Sequence, residues 1–101
     1  GTRLLAELPI DADGNLADGW EEQTRTAFAN VGRALRAAGA DWPDLVKLTI
    51  FVVDVSELAT IREIRDEFVN TASPPTSTLV QVAGLLRPDV LIEVEAVAHL
   101  P

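Results

Sequence analysis

The residues best suited to chemistry in this chain are carboxylates on an apolar strand. Leu91-Ile-Glu-Val-Glu-Ala-Val-Ala98 alternates so that Glu93 and Glu95 fall on one face, because side chains of a strand point alternately to opposite sides. A carboxylate held on such a face can take a proton from water and act as a general base. Lys47 is a candidate cross-strand partner for Glu93. Arg62 and Arg65 lie within one turn of each other in a helical segment. Arg62 is spaced to pair with Asp66 at i,i+4 or to reach into a pocket. His99 is the only histidine and there is no cysteine. Thiolate chemistry and disulfides are therefore excluded. No His/Cys cluster exists to hold a metal, and no Ser-His-Asp set can be assembled. Gly14 and Gly84 form no phosphate-binding loop.

The elements that must carry these residues follow from periodicity. Thr2–Leu8 is a short apolar strand, followed by a turn at Asp11-Ala-Asp-Gly-Asn15. A helix is predicted from Trp20 to Ala38, with Ala27, Phe28, Val31, Ala34, Leu35 and Ala38 forming its buried stripe. Glu21 and Glu22 suit its first turn, and Gly39 ends it. Trp20 and Trp42 flank it as packing residues. Leu45–Val53 is a strand with one wholly apolar face (Val46, Leu48, Ile50, Val52) and one mixed face. Asp54 or Ser56 can cap a second helix, predicted from Glu57 to Thr71 with Leu58, Ile61, Ile64 and Phe68 inward. Ser73-Pro74-Pro75 stops it. Strands at Thr76–Val82 and Val90–Leu100 complete the chain.

The order strand–helix–strand–helix–strand–strand predicts an α+β fold, a mixed sheet with two helices on one face. The other face would carry Lys47, Thr49, Phe51, Leu91, Glu93, Glu95 and Val97. That set is too apolar for open solvent and too polar for a private core, so an interface between copies of the chain is expected there. The 101 residues fit a single domain, 1–101. A formal charge of -8, with eight Lys and Arg in total, leaves no basic stripe for nucleic acid or for an anionic membrane. No apolar run approaches the roughly 18 residues of a membrane span, and no signal segment opens the chain. A cytoplasmic location is the expectation. The chain does not begin with methionine, which leaves open whether its N-terminal strand is complete.

Three stretches together resemble the RidA/YjgF family of reactive-intermediate (imine/enamine) deaminases. They are Glu21-Glu-Gln-Thr-Arg25 with Asn30 and Ala38-Gly39, then Asp44-Leu-Val-Lys-Leu-Thr-Ile-Phe-Val-Val-Asp54, then Val80-Gln-Val-Ala-Gly-Leu85 with Leu91–Ala98 and Leu100-Pro101. The resemblance implies a chorismate-mutase-like fold, a homotrimer with small-molecule pockets between subunits, and hydrolysis of imines without cofactor or metal. It places Glu93 at the acidic residue that orients the attacking water. It places Ser77, with Thr78 beside it, where the deaminating members carry an arginine that clamps the substrate carboxylate. A serine offers one neutral hydrogen bond in place of a bidentate, charged pair. The pocket-lining segment of the first strand falls on Leu5, Ala6 and Glu7, without the family's serine and glycine. A further upstream strand, which supplies an aromatic pocket residue in the family, has no counterpart here.

The expected function is therefore divergent: water addition to a small imine, enamine or related metabolite by Glu93, not standard 2-imino-acid deamination. Arg62 is the candidate for replacing the lost charge. The alternative is a non-catalytic trimeric module that binds a small molecule or a protein.

Overall fold

The computed structural model describes residues 1–101 and contains four strands and two α-helices: β1 (Thr2–Glu7), α1 (Gly19–Ala37), β2 (Leu45–Val52), α2 (Leu58–Phe68), β3 (Thr76–Gln81) and β4 (Ile92–His99). The strands form one mixed sheet in the order β1-β4-β2-β3. β4 runs antiparallel to both β1 and β2, while β2 and β3 are parallel. A parallel pair needs a long crossover, and α2 supplies it.

Both helices cover one face of the sheet. Ala27, Phe28, Val31 and Leu35 of α1 and Ile61 of α2 are fully buried there. They meet Leu48, Ile50 and Val52 of β2 and Ile92, Val94, Ala96 and Ala98 of β4 in a single core cluster. Phe28 stacks on Phe68 at 5.8 Å, and Trp42 closes the end of the group against both rings. Both tryptophans are thus packing residues at the margin of the core.

Three local expectations change. Val46 is half exposed and Leu45 is buried in its place. The β2–β4 register shifts between Leu45 and Lys47, so a bulge there breaks strict alternation: one extra residue rotates the strand start relative to the rest. The second helix is shorter than its apolar period implied. A 3-10 turn at Val55–Glu57 precedes it, capped by Asp54, whose carboxylate accepts from the Ser56 N–H. The helix stops at Phe68 rather than Thr71. Finally, β4 begins at Ile92, because the preceding residues are engaged by α1.

That engagement is a buried side-chain clamp. Gln23 of α1, 2% exposed, donates from Nε2 to the Asp89 carbonyl at 2.8 Å. Its Oε1 accepts from the Leu91 N–H, also at 2.8 Å. Val53 N–H bonds the Leu91 carbonyl at 3.1 Å. The residue two before Glu93 is therefore fixed from both sides. A second clamp joins α1 to the segment after β1. Asn30 donates from Nδ2 to the carbonyls of Leu8 and Ile10 at 2.9 and 2.8 Å.

Candidate functional site

The face of the sheet without helices holds the expected mixed set. On β4, Glu93 and Val97 are half-buried and Glu95 and His99 exposed, alternating with buried core residues. Glu93 stands opposite Phe51, and Phe51 opposite Val80. Glu95 stands between Thr49 and Ala6, and Thr49 opposite Thr78. Lys47 stands opposite Val97 and Thr76. The proposed Glu93–Lys47 pair does not form: the four ion pairs of the structure involve neither residue. A shallow cleft of about 360 Å³ is not on this face. The face instead carries one of about 320 Å³, lined by Leu4, Leu5, Ala6, Lys47, Thr49, Glu95, Ala96 and Val97. The exposed Leu4 and Val80 lie at opposite ends of the sheet.

Glu93 is thus held on a central strand, beside an aromatic ring, at a height set by the Gln23 clamp. A carboxylate so placed can accept a proton from a water lying on the open face.

The other candidate residues fall elsewhere. Ser77 pairs with the buried Leu48 and alternates with Leu79, which packs on the core. Its side chain therefore belongs to the helix side at the start of the edge strand, opposite in sense to Thr78. Leu5 and Glu7 stand opposite Ala96 and Val94, the core-facing residues of β4. Leu5 packs on the core margin while touching the β1 end of the open cleft. Glu7 lines a separate depression with Asn30, Arg33 and Asp11. Burial pushes its carboxyl above the ordinary glutamate range, and the Arg33 guanidinium partly opposes this. One chain does not bring Glu93, Ser77, Glu7 and Arg62 together.

Arg62 is exposed and makes no hydrogen bond or ion pair, with Asp66 or with Ser77. Arg65 takes both contacts. Its Nε meets Asp66 Oδ1 at 3.0 Å and its Nη1 lies 3.4 Å from Ser77 Oγ. The signal for this was present but ambiguous. Arg65 follows Ile64 and lies four residues after Ile61, on the flank of the buried stripe, whereas Arg62 lies farther round the helix. Arg65 and Ser77 line the cleft of about 360 Å³ with Asp66, Val69, Thr71, Pro74 and Pro75. No group of three or more acidic, histidine or cysteine residues is arranged to hold a metal ion.

A four-stranded mixed sheet under two helices, with a glutamate-bearing open face, defines an α+β class shared with many known proteins. The family described as Endoribonuclease L-PSP matches residues 6–100. The chain is 37% identical over 94 residues to a putative reactive intermediate deaminase, TdcF, of Escherichia coli, covering 91% of this chain and 66% of that protein. It is 36% identical over 95 residues to the 2-iminobutanoate/2-iminopropanoate deaminase of Salmonella typhimurium, covering 91% and 73%. Among solved structures, RidA from an Antarctic Psychrobacter superposes with a TM-score of 0.92 at 26% identity, covering 98% of this chain and 80% of that one. TdcF of Escherichia coli with bound serine gives 0.86 at 33% identity, covering 96% and 79%. This chain belongs to the RidA/YjgF family, the family described as Endoribonuclease L-PSP.

Proposed function

We propose that this protein hydrolyses a small imine or enamine-derived imine at a site on the open sheet face, completed by a second copy of the chain. Glu93 takes a proton from water as the water oxygen bonds to the C=N carbon. The nitrogen is protonated, the carbinolamine collapses, and ammonia leaves a carbonyl product. The observation that carries this reading is the placement of Glu93: half-buried, opposite Phe51, on a central strand of an uncovered face. The names of the deaminases similar to this chain support the reaction class. A homotrimer with the site between subunits accords with the mixed composition of that face.

The substrate differs from a standard 2-imino acid, because Ser77 carries no guanidinium to hold a carboxylate. Cleavage of RNA is disfavoured despite the family's description. A net charge of -8 repels a polyanion and offers no track for its phosphates.

The test is a hydrolysis assay on two imines, one without a carboxylate and one 2-aminoacrylate generated in situ. Wild type is expected to accelerate loss of the first. Glu93→Ala should lose about 10²–10⁴-fold, and Ser77→Arg should gain activity on 2-aminoacrylate. Wild-type acceleration on 2-aminoacrylate equal to that of Ser77→Arg would refute the specificity assigned to Ser77. Activity unchanged in Glu93→Ala would remove Glu93 from the reaction. A folded trimer inert toward both imines would favour the binding-module reading.

A further inference from the structure

The neighbours of Glu93 on the open face are apolar, and this bears on what its substrate can be. Phe51 stands opposite Glu93 and Val80 opposite Phe51, so the three side chains form one row across the sheet. Phe51 is half-buried and Val80 is 39% exposed. The pairing continues just past the strands, where the Val53 N–H donates to the Leu91 carbonyl at 3.1 Å. Leu91 lies two residues before Glu93 and so shares its side of the sheet. Leu91 and Val53 are both half-buried. The row on the other side of Glu93 is polar, with Thr49 opposite Glu95. Glu93 therefore stands at a boundary between an apolar wall and a polar strip.

The charges of the chain point the same way. Of its eight Lys and Arg, three lie on α1 and two on α2, and both helices cover the opposite face. Arg3 stands opposite Ala98, a core-facing residue. Arg87, in the loop before β4, is held by Asp89 at 3.1 Å. Lys47 is the one lysine or arginine of the open face. It stands opposite Val97, four residues along β4 from Glu93, which is about 13 Å at about 3.3 Å per residue. Glu95, by contrast, is the next side chain of β4 on the same face. A carboxylate on the substrate would meet two like charges and no nearby cation. A protonated C=N group, cationic and more electrophilic than its neutral form, is attracted by the same pair.

We propose that the substrate of the Glu93 site is a primary imine (RCH=NH) whose R group is alkyl or aryl-alkyl and carries no carboxylate. This rests on the reading of Glu93 as the residue that activates water. The C=N carbon lies at Glu93, and the apolar group lies along Phe51 and Val80 toward Leu91. Water adds to the C=N carbon, ammonia leaves, and an aldehyde of the same R group remains. Phe51, Val80 and Leu91 select the substrate on which Glu93 acts.

The experiment has two arms, both on the full chain. In the first, ethanimine and butan-1-imine are generated in situ from their amines by an amine oxidase, and 2-iminobutanoate from 2-aminobutyrate by an amino-acid oxidase. Loss of each imine is followed by trapping with semicarbazide. Wild type is expected to favour butan-1-imine over ethanimine by at least about tenfold in kcat/KM, from two buried methylenes at about fourfold each. It should favour butan-1-imine over 2-iminobutanoate by a similar factor, since the carboxylate finds no cation. Val80→Thr should lower the first ratio to about threefold or less, because a hydroxyl no longer matches the alkyl chain. In the second arm the isotope-labelled protein is titrated by NMR with acetamidine, butanamidine and butanoate. The amidinium ions are unreactive mimics of a protonated imine. Butanamidinium should bind about tenfold more tightly than acetamidinium, with shifts at Phe51, Val80 and Leu91, and butanoate should shift none of these. Equal rates on the two alkyl imines, a preference for 2-iminobutanoate, or an unchanged ratio in Val80→Thr would each overturn the proposal. If no imine is hydrolysed faster but butanamidinium keeps its preference, the ligand class stands and the hydrolytic role of Glu93 falls. Amidinium binding without a chain-length preference overturns the proposal whatever the rates.

Discussion

Two carboxylates of this chain show how position decides what a residue can do. Glu93 keeps an open side for water because it alternates with Ile92 and Val94, which fill the core. Glu7 shares the core-facing side of β1 and has its carboxyl pushed above the ordinary range by burial, against the pull of Arg33. A carboxyl with a raised folded pKa stabilises the fold below the unfolded pKa. That contribution is lost as pH rises through the folded value. Glu7 is therefore a cost at neutral pH. Glu7→Gln is expected to unfold at a slightly higher temperature than wild type at pH 7. The difference should vanish near pH 3.5, below the ordinary glutamate range of about 4.3. Thermal melts of the two proteins at both pH values check this, and a destabilised Glu7→Gln at pH 7 would contradict it.

At the scale of elements, the strand ends are set by side chains from other elements. Gln23 satisfies a carbonyl at Asp89 and an N–H at Leu91 from a buried position. Gln23→Ala leaves both groups without that partner, at a cost of about 1–3 kcal/mol. For a chain of this size each 1 kcal/mol moves the midpoint by about 4–8 °C. The same variant should slow imine hydrolysis, since Leu91 fixes the entry to the strand that carries Glu93. Full activity in a destabilised Gln23→Ala would limit the clamp to a stability role. The bulge in β2 makes a second element-scale prediction. Leu48→Ala should cost about 2–5 kcal/mol, whereas Val46→Thr, on the half-exposed bulge, should change stability by less than about 0.5 kcal/mol. Urea unfolding curves separate the two cases. A large loss in Val46→Thr would place Val46 in a packed environment.

On the scale of the whole molecule, the uncovered face is the dominant feature. Leu4 is 75% exposed and Val80 39%, and Phe51 and Val97 lie half-buried between them among Thr49, Glu93 and Glu95. Apolar side chains on an exposed sheet favour association. Sedimentation is expected to show three copies of the 10.9 kDa chain. Val97→Lys should shift the protein toward monomer and remove imine hydrolysis. A wild-type chain that sediments as a monomer would refute the inter-subunit site.

Periodicity alone determined the two helices, the four strands and the division of the sheet into an apolar and a mixed face. Those depend on short-range repeats, three to four residues for Phe28, Val31 and Leu35, two for Ile92, Val94 and Ala96. The placing of Glu93 on the open face was legible for the same reason. Tertiary structure decided what local repeats do not encode. The bulge at Val46 arises from pairing with β4, and the start of β4 from a clamp 68 residues away. The parity of Ser77 depends on its parallel register with Leu48. The choice of Arg65 over Arg62 depends on how α2 rolls against β3, because residues three apart on a helix are only about 60° apart around its axis and a small roll decides which one reaches the strand. Long-range pairing and packing set these outcomes, and no window of neighbouring residues contains them.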